Sequence, residues 1–221
     1  MKVFISAGHG GSDPGAVAYN TKEKDLNLSI ALACRDELVR HGVSVKMSRT
    51  KDENDPLSEE IKECNAFAPD LAVSIHNNAG GGDGAEVFHH HGGGKGKTLA
   101  ENILAEIVKV GQNSRGIKTR VNSQGKDYYA FIRNTTCPAV IVECAFVDNA
   151  TDLKILATEG QRKDMGVAIA KGILKTLGVE IQSEKSTLYR VQVGAYFVKE
   201  NAEAMQKKIK AVGFDAFIVK E

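Results

Sequence analysis

Three short apolar runs in this chain each end at a titratable side chain. Val3-Phe4-Ile5 leads into the glycine-rich bend Gly8-His9-Gly10-Gly11-Ser12-Asp13-Pro14-Gly15. Leu71-Ala72-Val73-Ser74-Ile75 ends in His76, and Pro138-Ala139-Val140-Ile141-Val142 ends in Glu143. Runs of this length, bounded by turn residues, predict strands. The repeated layout predicts one site at the carboxyl ends of those strands, where ligands bind in open α/β sheets.

Helical patterns separate the strands. Thr21 predicts an N-cap for a helix running to about His41, where Gly42 stops it. Val43–Met47 predicts a strand, and Pro56 opens a second helix through about Phe67. Beyond the Gly80–Gly84 loop, Ala85–His91 predicts a further strand. Leu99, Ile103, Ile107 and Val110 then recur at helical spacing. Residues 113–132 carry no clear period. Asp152–Leu156 and Gln161–Leu177 predict closing helices. The alternation implies an α/β fold with a mainly parallel central sheet flanked by helices, spanning residues 1–178. Residues 179–187 are polar, without periodicity, and predict a linker. Residues 188–221 predict a small C-terminal βαβ unit: strand Leu188–Tyr196, helix Lys199–Val212 and strand Phe214–Val219.

Composition changes this picture little. Hydrophobic residues make up 42% and charged residues 26% of the 221, so a real core is expected and disorder is not. A net charge of +1 gives no reason to expect a nucleic-acid partner. No apolar run is long enough for a membrane span. Cys34, Cys64, Cys137 and Cys144 form no CxxC pair, which predicts reduced, structural thiols. Met1-Lys2 leads straight into the first strand without an export segment, so synthesis in the cytosol is expected, with release by a holin or by cell lysis before action outside.

The candidate chemistry rests on four side chains. His9, flanked by glycines, reads either as a ligand or as a polar loop residue. His76 reads either as a ligand or as a satisfied core histidine. Glu23 opens a helix, where a carboxylate also complements the helix dipole. Two imidazoles and one carboxylate with an open position form a common catalytic zinc shell. Glu143 closes an almost wholly apolar strand, so its carboxylate should face a cleft, a cation or a hydrogen-bonding network. His89-His90-His91 alternates between strand faces, which predicts a surface or groove-lining strand. Asp13, Asp25, Asp52 and Asp55 match no calcium loop.

Four motifs occur in one order: Ala7-Gly8-His9-Gly10-Gly11-Ser12-Asp13-Pro14-Gly15-Ala16, Lys22-Glu23-Lys24-Asp25-Leu26-Asn27, Ser74-Ile75-His76-Asn77-Asn78-Ala79, and Arg133-Asn134 through Glu143. Together they resemble the zinc-dependent N-acetylmuramoyl-L-alanine amidases of bacterial autolysins and phage endolysins, over residues 1–178. The resemblance implies a mixed sheet sandwiched by helices, Zn²⁺ on His9, Glu23 and His76, Glu143 as the catalytic glutamate, and peptidoglycan as substrate. Tyr189-Arg190-Val191-Gln192-Val193-Gly194-Ala195-Tyr196, with Asn201-Ala202 and Gly213-Phe214, resembles the opening half of a SPOR domain, a peptidoglycan-binding module, over residues 188–221. A truncation, or pairing of two half-modules in a dimer, would each account for the missing half. The alternative is a non-catalytic peptidoglycan-binding or regulatory protein on the same fold, or a zinc peptidase cutting within the stem peptide.

Overall fold

The computed structural model describes residues 1–182 and 192–220. Eight strands form in the first part: β1 (Lys2–Ala7), β2 (Val17–Ala18), β3 (Thr21–Lys22), β4 (Ser44–Met47), β5 (Leu71–Asn78), β6 (Ala85–His89), β7 (Ser114–Lys118) and β8 (Ala139–Phe146). Six helices accompany them: α1 (Glu23–Arg40), α2 (Leu57–Phe67), α3 (Lys95–Lys109), α4 (Ala130–Asn134), α5 (Ala150–Lys154) and α6 (Glu159–Leu177). Six strands make the central sheet in the order β4-β1-β5-β8-β6-β7. β4, β1, β5 and β8 run parallel, β6 is antiparallel to β8, and β7 is parallel to β6. The sheet is therefore mixed and mainly parallel.

Alternation along each strand sorts side chains between two cores. Val3, Ile5, Val73, Ile75, Val140 and Val142 pack with α1, α3 and α6. Phe4, Ala72, Phe88, Ala139 and Ile141 pack on the opposite face with α2 and α4. Strands buried on both faces read as continuous apolar runs, which is why β1 and β8 lack a polar alternation. Two glycines let α6 approach its neighbours closely. A Cβ on Gly166 would lie 2.5 Å from the Ile30 carbonyl oxygen of α1, and one on Gly172 2.5 Å from Ile103 Cα of α3.

Thr21 is not the N-cap of α1. Tyr19 and Asn20 adopt positive φ (49° and 59°), a turn that pairs β2 with β3 and places Thr21 opposite Ala18. Lys22 caps instead, without a side-chain bond, and the Glu23 amide donates to the Ala16 carbonyl at 2.9 Å. The four cysteines are free thiols, three of them buried. The compact body runs from Met1 to Gln182, with Val179 and Ile181 still packed on the core.

Ser183–Glu221 forms a second unit. Its helix α7 (Lys199–Ala211) matches the expectation, but among the described residues no strand flanks it. Residues 192–196 and Phe214–Val219 are not strands, and 188–191 lie outside the described residues. A strand needs a partner for its backbone ladder, and even a lone pair of strands is marginal in water. No residue of α7 is buried. Among the described residues no helix is long and apolar enough to cross a membrane.

Candidate metal centre and catalytic carboxylate

The β1–α1 loop delivers His9 by a strained path. His9 has φ 63°, a region that non-glycine residues rarely occupy, and Gly10 and Gly11 follow with positive φ. Arg49, only 2% exposed, braces the loop from beneath. Its Nε donates to the Ala7 carbonyl at 2.8 Å, and its Nη2 donates to the carbonyls of Gly8 at 3.3 Å and Lys24 at 2.8 Å. Glu23 arrives as the first residue of α1, and His76 from near the end of β5.

These three side chains converge. Glu23 Oε2 lies 3.2 Å from His9 Nε2, and Glu23 Oε1 lies 3.0 Å from His76 Nδ1. One ligand atom from each lies within 4.8 Å of the other two, close enough to share one ion. Glycines make the space. A Cβ on Gly8 would stand 2.2 Å from the His76 ring, and one on Gly15 2.6 Å from Glu23 Oε2.

Outer partners orient the donors. Asp13 Oδ2 lies 2.8 Å from His9 Nδ1, leaving Nε2 to face the cluster, the arrangement that raises the basicity of metal-bound imidazoles. The amides of Ala16 and Asn77 and the Asn27 side chain donate to the Glu23 carboxylate at 2.9, 3.2 and 3.2 Å.

The charges point the same way. Its hydrogen bond with Glu23 holds His9 up at about 9 against burial, with Asp13 adding to the effect. Burial opposes ionisation of Glu23, yet hydrogen bonds from His76 and His9 hold its carboxyl well below the usual range. The Glu23 carboxylate keeps its charge and binds protons on its neighbours, so the cluster is built for positive charge at its centre. Two imidazoles that are both partly exposed to solvent, with one carboxylate, suit a catalytic zinc ion.

Glu143 stands beside this cluster. It lies opposite His76 in the β5–β8 register, so both side chains project from one face of the sheet. Its carboxylate has no hydrogen-bond partner among the described residues. Burial pushes it up to about 7, with His76 opposing and the charges of Glu23 and Glu86 adding to the rise. A carboxyl group near neutrality can both take and return a proton.

The likeness to known proteins covers this whole body. The family model described as N-acetylmuramoyl-L-alanine amidase matches residues 3–175. The chain belongs to the N-acetylmuramoyl-L-alanine amidase family. It is 35% identical over 223 residues to the N-acetylmuramoyl-L-alanine amidase CwlM of Bacillus licheniformis, covering 99% of this chain and 85% of that one. It is 34% identical over 190 residues to the endolysin of Bacillus phage SPP1, covering 82% and 68% respectively. Among solved structures, Cwp6 from Clostridium difficile superposes with a TM-score of 0.78 at 40% identity, over 80% of this chain and 29% of that one. The catalytic domain of CwlV, an N-acetylmuramoyl-L-alanine amidase from Bacillus (Paenibacillus) polymyxa, gives 0.73 at 29% identity, over 81% and 99%.

A SPOR domain model matches residues 153–220, reaching further back than the resemblance over 188–221. Its first part overlaps α6, whose Met165, Ile169 and Ile173 are fully buried in the amidase core. Those side chains are already committed to the amidase fold.

Within the amidase body the three consecutive histidines divide. β6 ends at His89, whose Nδ1–H donates to the His90 carbonyl at 2.8 Å. His90 Nε2 and His91 Nδ1 both turn to the buried Asp127, at 3.2 and 3.1 Å. These donors also lie within 4.8 Å of one another. However, the Gly92 amide donates to His90 Nδ1, so the proton of the neutral ring sits on Nε2 and points at Asp127. The group ties the β7–α4 loop to the end of β6, at the sheet edge remote from Glu143, since His89 pairs with Val140.

Sequence reasoning singled out His9, Glu23 and His76, which the fold brings together, and Glu143, which lies opposite His76 in the strand register. It missed Asp13 as the partner of His9, Arg49 as the brace and Glu86 beside Glu143. The i,i+4 spacing of His9 and Asp13 was the one local signal. Arg49 and Glu86 gave none.

Proposed function

We propose that this chain holds one Zn²⁺ between His9, Glu23 and His76. With Glu143 it hydrolyses the amide between the lactyl group of N-acetylmuramic acid and the L-alanine of the peptidoglycan stem peptide. The observation that carries the reading is the unpartnered Glu143 carboxylate on the same sheet face as the three-donor cluster. Zinc, when bound, polarises the scissile carbonyl and makes the attacking water more acidic. Glu143 takes the proton of that water and passes it to the departing alanine nitrogen. Asp13, Asn27 and the Ala16 and Asn77 amides hold the donors in place while this happens.

The catalytic domain, expected over residues 1–178, would extend to Gln182, since Val179 and Ile181 pack on its core, which shortens the linker expected at 179–187; residues 188–221 would form a partial SPOR-like module that adds affinity for the wall. A binding protein on this fold has no use for a half-buried carboxylate held beside the donor cluster with no protein partner, and that disfavours the non-catalytic alternative.

Digestion of purified cell wall tests the reaction. The proposal expects new N-terminal L-alanine amines and no new reducing ends. Release of any other new amine would make the protein a peptidase of the stem peptide, and no release at all would leave a binding protein.

A further inference from the structure

β7 plays no part in the chemistry above, yet it sends two cations toward the catalytic face. Glu86 on β6 lies directly opposite Glu143 on β8, so the two carboxylates share one face of the sheet. Glu86 is only 5% exposed and accepts hydrogen bonds from Asn78 Nδ2 at 3.0 Å, Arg115 Nε at 2.9 Å and Lys118 Nζ. One carboxylate facing two cations leaves the cluster with a net positive charge.

Arg115 is held on one side and open on the other. Its Nε is committed to Glu86, and its guanidinium lies 5.0 Å from the centre of the Phe146 ring. Nη1 and Nη2 have no hydrogen-bond partner among the described residues. A guanidinium fixed in this way presents a planar fork that matches a carboxylate in bidentate fashion.

The fork lies at a useful distance from the base. Between His76 and Asn78, the β5–β8 pairing sets two residues of β5 against three of β8, which brings Phe146 opposite Asn78. Phe146 therefore shares the face of His76 and Glu143, about 7 to 10 Å along β8 from Glu143 at ordinary strand rise. Two extended peptide residues span at most about 7 Å, so the second residue of a stem peptide cut at Glu143 comes within a side chain's length of Arg115, which bonds Glu86 directly opposite Glu143.

We propose that Arg115, oriented by Glu86 and Phe146 and assisted by Lys118, is a subsite for a carboxylate on the stem-peptide residue that follows L-alanine. This rests on the amidase reading above. It makes the protein selective for walls in which that residue is an isoglutamate rather than the amidated isoglutamine.

Two synthetic muramoyl peptides that differ only in this carboxylate or carboxamide test the subsite. The full-length, zinc-loaded protein should favour the carboxylate by at least about tenfold in kcat/KM, chiefly through KM, as expected when a charge-assisted fork loses its partner. Arg115→Gln should bring the two substrates to within about twofold, and Arg115→Lys should restore part of the preference, since it keeps the charge and loses the fork. Calorimetry with the dipeptide L-alanyl-D-isoglutamate reads the same site without hydrolysis: binding should weaken about tenfold in Arg115→Gln. Normal hydrolysis with equal rates on both peptides, or a preference that survives Arg115→Gln, overturns the subsite and leaves the amidase reading intact. No hydrolysis of either peptide, with Arg115-dependent dipeptide binding, overturns the amidase reading and keeps the subsite.

Discussion

Glu143 is the one charged residue of β8, a half-buried carboxylate that no described residue bonds, an arrangement that costs stability and that a role in the chemistry explains. Glu143→Gln should therefore lower wall hydrolysis about a hundredfold to ten-thousandfold, the range for a lost general base, with zinc content and Tm retained. Elemental analysis and a melting curve beside the activity assay check this; near-normal activity would remove Glu143 from the mechanism. Glu60 is a buried carboxyl, 5% exposed and accepting from the Ser6 hydroxyl at 2.7 Å. Burial pushes it from 4.5 up to about 7, so between those pH values the folded protein keeps a proton that the unfolded chain has released. Stability must fall as pH rises through that window, and the loss is complete above about 7. Glu60→Gln keeps an acceptor for Ser6 and should flatten the decline, with a higher Tm than wild type at pH 8; an unchanged pH slope would contradict this. The four candidate site residues stand out in the sequence because His9 follows a strand, His76 lies near the end of one, Glu23 starts a helix and Glu143 is the lone charge in an apolar run. Arg49, Asp127 and Glu86 are not, since their roles depend on partners that only the fold brings near.

The elements owe their legibility to period and burial. β1, β5 and β8 stand out as apolar runs because both sheet faces are covered, and α3 shows its stripe because only one of its faces is. β7 escapes notice because Ser114-Arg115-Gly116-Ile117-Lys118 is an edge strand with one apolar residue. The antiparallel direction of β6 has no local signature, because it depends on the connections either side. Among the described residues after 191 no expected strand forms, for a physical reason: apolar alternation without a pairing neighbour does not make a ladder. Packing between helices gives a test at this scale. Gly172→Val would press a side chain into the Ile103 backbone and should cost about 1–3 kcal/mol or more. Gly160→Ala, near the start of the same helix with only Thr158 Oγ1 at 3.9 Å, should be neutral or slightly stabilising. Equal melting temperatures for the two variants would mean that α6 does not approach α3 this closely.

At the scale of the molecule, every apolar side chain buried in the core among the described residues precedes residue 182, and the whole candidate site lies in the same body. A chain ending at Gln182 should melt within about 2 °C of the full chain and cleave a soluble muramoyl peptide at the same rate, while its retention on sedimented wall falls. A large drop in Tm would show that the C-terminal residues complete the core. The account as a whole depends on one cation being held by His9, Glu23 and His76 next to Glu143. Anomalous scattering from a crystal of the zinc-loaded protein, recorded on both sides of the zinc absorption edge, tests this most directly. The account predicts one strong peak within bonding distance of His9 Nε2, a Glu23 carboxylate oxygen and His76 Nδ1. A peak elsewhere, with these three side chains bonded only to one another, would contradict it.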